Sequence, residues 1–143
     1  KIVLRTSIVL GKKGGAFIPL KNLTKIGLGG KQGSGNQKVS WIHEIDFAKA
    51  IEFLLENKNL KGIFNLSVPK PTNNKNLMQA LRNVLDVPFG IPHPKPLLEF
   101  GAKLIGTETE LLLKSRNVIP QRLLQNNYSF SFTKIETALQ DLT

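Results

Sequence analysis

The period of the apolar positions changes several times along the chain, and each change predicts an element. Residues 2–10, Ile-Val-Leu-Arg-Thr-Ser-Ile-Val-Leu, are rich in β-branched side chains and stop at Gly11. A nearly continuous apolar run of that length predicts a strand buried on both faces. Lys12-Lys13-Gly14-Gly15 predicts a turn. From Ala16 to Ile26, Phe17, Leu20, Leu23 and Thr24 recur at helical spacing, and Pro19 is tolerated in a first turn. Five glycines from Gly27 to Gly35 predict a loop. Over Gln37 to Ile42, Val39 and Trp41 alternate with Lys38 and Ser40, the period of a short strand. Ile45, Ala48, Ile51, Leu54 and Leu55 restore the helical period over 44–57. Glu44 and Asp46 fall in the first turn of that helix, where its dipole favours carboxylates.

Residues 63–68, Ile-Phe-Asn-Leu-Ser-Val, predict a further strand, broken by Pro69 and Pro71. Thr72-Asn73-Asn74 offers a cap for a helix to Leu85, with Leu77, Met78, Leu81 and Val84 on its apolar face. Pro88, Pro92, Pro94 and Pro96 impose an irregular connector that includes His93. Two short helices are expected over 97–105 and 107–114, split at Gly106, and a helical turn at Pro120–Gln125. Tyr128 to Phe132 alternates like a strand, and Thr133 is placed to cap a last helix over 134–142. The class is mixed α/β, with too few strands for a complete doubly wound sheet. The proline connector divides the sequence into segments 1–87 and 88–143.

At 143 residues the chain is long enough to bury a core. The absence of cysteine excludes disulfides, thiolate nucleophiles and cysteine zinc sites, and two histidines exclude a histidine-rich metal site. No apolar run approaches the ~20 residues of a membrane helix. The chain starts at Lys1 inside an apolar run, without an initiator methionine, so a longer parent is expected. No signal peptide precedes the first strand, and the cytoplasm is the expected compartment. The net charge is +10, from sixteen lysines and four arginines against ten acidic residues. Twelve asparagines accompany the lysines, a bias that base composition alone can produce. The lysines are scattered, with no run of five or six and little aromatic interleaving. That favours a solvated surface over a phosphate-bearing ligand, and both over nucleic acid.

The candidate chemistry is sparse. The glycine stretch 27–35 lacks the phosphate-loop pattern, and a strand rather than a helix follows it, so a turn is the preferred reading. Ser40-Trp41-Ile42-His43-Glu44-Ile45-Asp46 gathers polar groups at a strand-to-helix junction. His43 with Glu44 or Asp46 can form an acid–base pair, or it can be a structural cap. The structural reading is preferred, because no nucleophile stands at triad spacing and Gly33-Ser34-Gly35 is only part of a nucleophile elbow. Arg5 inside an apolar strand requires either a carboxylate partner or a ligand anion, and the sequence leaves both open.

Taken in order, these segments resemble a known family. Ser-Trp-Ile-His-Glu-Ile-Asp-Phe-Ala-Lys-Ala-Ile at 40–51 resembles the strand–helix signature of extended short-chain dehydrogenases and sugar-nucleotide epimerases. Gly62 to Pro69, Pro71 and the capped helix resemble that family's next strand and helix, and Arg5 to Gly11 its late Rossmann strand. The glycine stretch, the run from Leu104 to Leu123, and Ala138-Leu139-Gln140-Asp141-Leu142 resemble one subgroup, epimerase-family proteins with a C-terminal domain of unknown function. The resemblance implies late Rossmann strands, a substrate-binding lobe and a helical C-terminal tail. It implies NAD or NADP in the full-length parent, and none bound to this chain alone. The nicotinamide side would be lined by Arg5, Thr6, Ser7 and Ile8. A nucleotide-sugar or other phosphorylated small-molecule substrate would be met by Gln37, Lys38, Ser40, Trp41 and His43. The family's Gly-x-x-Gly-x-x-Gly loop is not in the sequence. Its Tyr-x-x-x-Lys pair is absent too, since Tyr128 is followed four residues on by Phe132. The family also places asparagine where Ile8 stands, and often arginine near Val39. The expectation is therefore the C-terminal part of an NAD(P)-dependent epimerase-like oxidoreductase, inactive alone. Truncation would expose surfaces that form a homodimer. The alternatives from other classes are a basic binding module for nucleic acid or an acidic partner, and a non-catalytic interaction domain. No membrane partner is expected.

Overall fold

The structure, a computed structural model, describes residues 1–92 and 114–143. His93 and the helix expected over 97–105 lie outside the described residues, as does the one over 107–114 except Lys114, where the chain bends. Among the described residues the strands form three small sheets. β1 (Ile2–Thr6) pairs in parallel with β6 (Gly62–Leu66), Val3 opposite Ile63 and Thr6 opposite Leu66. β2 (Ile8–Gly11) lies between β5 (Trp41–His43), parallel, and β3 (Gly14–Gly15), antiparallel. β4 (Lys38–Val39) pairs antiparallel with β7 (Thr72–Asn73). The helices are α1 (Phe17–Leu23), continued by a π-helical turn at Thr24–Leu28, then α2 (Glu44–Glu56), α3 (Asn74–Val84), α4 (Gln121–Gln125) and α5 (Ile135–Leu142).

The apolar run 2–10 forms two strands, not the single buried one its pattern predicts. The break is at Ser7, where the backbone changes partners. Ser7 N–H donates to the Leu66 carbonyl at 3.0 Å, and Ile8 N–H donates to that of Ser40 at 3.3 Å. β1 is also the more open half, with Val3 and Leu4 about 40% exposed and Arg5 exposed. Exposure removes the desolvation cost that a buried Arg5 would carry. Among the described residues no carboxylate lies within ion-pair distance of it.

β5 separates two cores. Trp41 turns into one, with Leu10, Phe17, Leu77, Leu81, Ile135 and Leu139. Ile42, on the opposite face, enters the other with Leu54, Phe64, Leu66 and Leu123. This is the two-residue alternation of a strand covered on both sides. Each such buried side chain contributes about 1.5–3 kcal/mol. Both cores draw on residues before 92 and after 114, so the described part of segment 88–143 shares its interior with segment 1–87.

The stretch 128–132 joins no ladder, and the chain bends at Ser131. Its alternation serves packing: Tyr128 and Phe130 enter the second core, and Phe132 reaches the first. Its backbone is held by one side chain instead. The Asp46 carboxylate accepts from Ser131 N–H at 2.7 Å and Phe132 N–H at 2.8 Å, and the Tyr128 hydroxyl donates to the Asp46 carbonyl at 3.0 Å. Lys134, not Thr133, occupies the N-cap position of α5, with no side-chain cap. The predicted cap of α3 is Asn73, whose Oδ1 accepts from Asn76 N–H at 2.8 Å.

Asp46→Ala removes the acceptor of two backbone donors in the fold. Urea denaturation is expected to show a loss of about 1.5–3 kcal/mol, the range for hydrogen bonds to a charged group. An unchanged midpoint would show that Asp46 does not hold the 128–132 stretch.

Candidate functional site

β1 and β6 end side by side at Thr6 and Leu66, where the chain crosses to the next sheet at Ser7. Ligands of parallel sheets bind beyond the carboxyl ends of strands at such switch points. A half-open cavity of about 470 Å³ lies there. The crossover supplies Arg5, Thr6, Ser7 and Ile8, β6 supplies Asn65, and the break between β4 and β5 supplies Ser40. Arg116 and Val118 complete it from the strap that leads to α4.

Hydroxyl and amide side chains stitch that strap down. Arg116 N–H donates to the Lys38 carbonyl at 2.8 Å, and Lys38 N–H donates to Ser115 Oγ at 3.0 Å. Ser40 Oγ donates to the Arg116 carbonyl and accepts from Val118 N–H, both at 2.7 Å. Ser67 Oγ donates to the Val118 carbonyl at 3.0 Å, and Asn65 Nδ2 to that of Ile119 at 3.2 Å. On the opposite side the Ser7 hydroxyl donates to the Leu66 carbonyl at 2.8 Å and fixes the crossover.

Two guanidinium-bearing residues and no acidic residue line the cavity, which gives it the character of an anion site. No imidazole or carboxylate lines it either, so its own side chains supply no acid–base pair. The other two arginines are occupied elsewhere. Arg82 donates to the Gly29 carbonyl at 2.6 Å. Arg122 donates to the carbonyls of Ile63 and Lys61, over the Phe64 ring.

Five residues singled out in the sequence, Arg5, Thr6, Ser7, Ile8 and Ser40, therefore meet at one cavity. Gln37, Lys38, Trp41 and His43 do not line it. Trp41 and His43 are 1% and 0% exposed, because β5 is covered on both faces. Gln37 belongs to an amide lock on the glycine loop, where its Nε2 donates to the Gln32 carbonyl and its Oε1 accepts from Ser34 Oγ. Asn74 on α3 closes that lock by holding both Gln32 N–H and Gln32 Oε1. Lys38 is exposed on β4, engaged through its backbone. Asn65, Arg116 and Val118 were missed. A signal was present for one of them: Arg116 is one of only four arginines among sixteen lysines, in a chain whose charge otherwise falls on lysine.

His43 is the N-cap of α2. Its Nδ1 accepts from Ile45 N–H at 3.1 Å, which leaves the neutral ring's proton on Nε2, 3.3 Å from Asp141 Oδ2. The ring stacks on Phe132 with centroids 4.0 Å apart. Burial holds its pKa below the ordinary 6.5, against the opposing pull of Asp141, Asp46 and Glu44. Burial and Asp46 push the Tyr128 phenol up to about 12. Neither ring is poised for proton transfer at the cavity. Among the described residues no cluster of metal-ligating side chains occurs, and no helix is long and apolar enough to cross a membrane.

Residues 93–142 match the family described as Domain of unknown function (DUF1731). Over 99% of its length the chain is 35% identical to Epimerase family protein SDR39U1 of Mus musculus, covering 48% of that relative. It is 30% identical to an epimerase family protein of Staphylococcus aureus, again over 99% of this chain, covering 46% of that relative. Human epimerase family protein SDR39U1, crystallised with NADPH, superposes with a TM-score of 0.86 at 32% identity, over 99% of this chain and 47% of that one. UDP-N-acetylglucosamine 4-epimerase from Bacillus cereus has the same fold at 13% identity, with a TM-score of 0.70 over 99% of this chain and 44% of that one. The chain thus spans about half the length of the relatives it matches.

The buried imidazole has a consequence for stability. Below pH 6.5 the unfolded chain protonates His43 while the folded chain resists, so its contribution falls as pH drops from 6.5 toward the lowered folded pKa. His43→Asn keeps a cap acceptor and removes the titration. Thermal melts at pH 7.5 and 5.5 are expected to show the wild-type advantage over His43→Asn shrinking at the lower pH. A constant difference would contradict the burial argument.

Proposed function

We propose, for a chain that belongs to the epimerase-family proteins carrying DUF1731, the role of the C-terminal half of an NAD(P)-dependent, nucleotide-sugar epimerase-like oxidoreductase. The observation that carries this reading is the cavity at the ends of β1 and β6. It is walled by Arg5 to Ile8 on one side and by Arg116 from the DUF1731 match on the other, with no acid between them. The human relative crystallised with NADPH and the UDP-sugar epimerases of like fold support it.

The chain alone does not fit a whole dinucleotide. Its one glycine-rich loop is locked to α3 through Gln32 and Asn74 and leads into β4, whereas a dinucleotide needs a glycine turn that opens a helix. Bound to the complete protein, NAD(P) would supply hydride transfer. In this half, Arg5 and Arg116 attract and orient a phosphorylated substrate. Thr6, Ser7 and Asn65 offer hydrogen-bonding groups along the strand ends, and Ile8 and Val118 keep water from the inner wall. Ser7 already spends its proton on the Leu66 carbonyl, so toward a ligand it can only accept.

Titration of the 143-residue chain with UDP-glucose, followed by amide NMR, tests the reading. Shifts are expected at residues 5–8 and 116–118, weakening with salt. Shifts confined to surface lysines would refute it. With NADPH added, the chain alone is expected to turn nothing over, and measurable turnover would overturn the division of labour between the two halves.

A further inference from the structure

Ser40 was expected to touch substrate, but its hydroxyl is already committed. The side chain is 3% exposed, and its donor goes to the Arg116 carbonyl while an acceptor position takes Val118 N–H. A serine hydroxyl has one proton to give, so none is left for a ligand. We infer that Ser40 is a positioning residue: its hydroxyl sets Arg116 at the cavity for an anionic ligand. This rests on the reading that the cavity takes a phosphorylated ligand.

The geometry is specific to residue 116. Its N–H is held by the Lys38 carbonyl at 2.8 Å and its carbonyl by Ser40 Oγ at 2.7 Å, so the backbone is fixed on both sides of its Cα. The two anchors flank Val39, at the end of β4 and in the gap before β5. That gap is what gives the strap its place. In the break, Ser40 pairs with Arg116 and Val118 through its side chain, as a rung of backbone would. Arg116 is exposed and belongs to a strap with no ladder of its own. Ordering such a residue on binding carries an entropy cost, and a backbone fixed beforehand reduces it. Loss of the hydroxyl leaves the Arg116 carbonyl and the Val118 amide without this partner. The guanidinium is then displaced, while the wall formed by Arg5 to Ile8 keeps its place.

The test is a double-mutant cycle on UDP affinity, measured by calorimetry on the 143-residue chain at low salt, at a temperature where circular dichroism shows every variant folded. Ser40→Ala is expected to weaken binding about fivefold, because a displaced guanidinium loses part of its charge-assisted contact with the anion, and Arg116→Ala, which removes that contact, by more. In the Arg116→Ala background, Ser40→Ala is expected to change nothing further, because it acts through that arginine. Wild-type affinity in Ser40→Ala, or strict additivity in the double variant, would overturn the inference. Absence of UDP binding by the wild type would instead overturn the reading of the cavity, and the inference with it. Should Ser40→Ala fail to fold, Ser40→Cys, close in volume with weaker hydrogen bonds, is put through the same cycle and judged by the same outcomes.

Discussion

A carboxylate removed from water must be given hydrogen-bond donors, and the rest of this structure follows from where Asp46 finds them. It is fully buried in the first turn of α2, yet it does not turn back to cap that helix. It takes the N–H groups of Ser131 and Phe132, more than eighty residues away. His43 performs the capping instead through Nδ1, and its ring face and Nε2 meet Phe132 and Asp141. The start of α2 thereby fixes two elements of the C-terminal segment. Tyr128 adds its hydroxyl to the same turn. The polar groups of Ser40, His43 and Asp46 are spent on holding the C-terminal segment to the rest of the fold.

With the tail fixed there, the strap before it has little choice of path. It runs across Ser40 and Ser67, and both hydroxyls replace backbone partners that the short, interrupted strands do not supply. This is how the DUF1731 match delivers Arg116 and Val118 to a cavity whose other walls lie more than seventy residues before Arg116 or at Asn65. The division of cations is also physical. Two arginines are consumed by backbone carbonyls and two line the cavity, where no described lysine reaches.

Much of this was legible in the pattern. The 44–57 periodicity gave α2 to within a residue, the cap expected from Thr72-Asn73-Asn74 is Asn73, and Arg5 to Ile8 with Ser40, which the resemblance implied, lie around one cavity. Three things were not legible, for reasons that are physical. Period cannot show that residues 2–10 change partner at Ser7, because both halves keep the same apolar content. Alternation at 128–132 looks like a strand, but its aromatic positions divide between two cores, and the amides of Ser131 and Phe132 go to a carboxylate that is distant in sequence. Trp41 and His43 carry the chemistry of a binding site, yet β5 is covered on both faces, so both are interior. A sequence shows which residue types stand at a junction. It does not show which of them the packing buries.

Tied at the 40–46 junction, residues 1–92 and 114–143 are expected to open as one cooperative unit. Native-state hydrogen exchange tests it most directly, since it reads the opening free energy of each amide. The amides of Ser131 and Phe132, and those of Arg116 and Val118, are expected to open with the same free energy as the ladder amides of β5 and β6. Tail amides that exchange through a separate opening, several kcal/mol cheaper than that of β5 and β6, would contradict it.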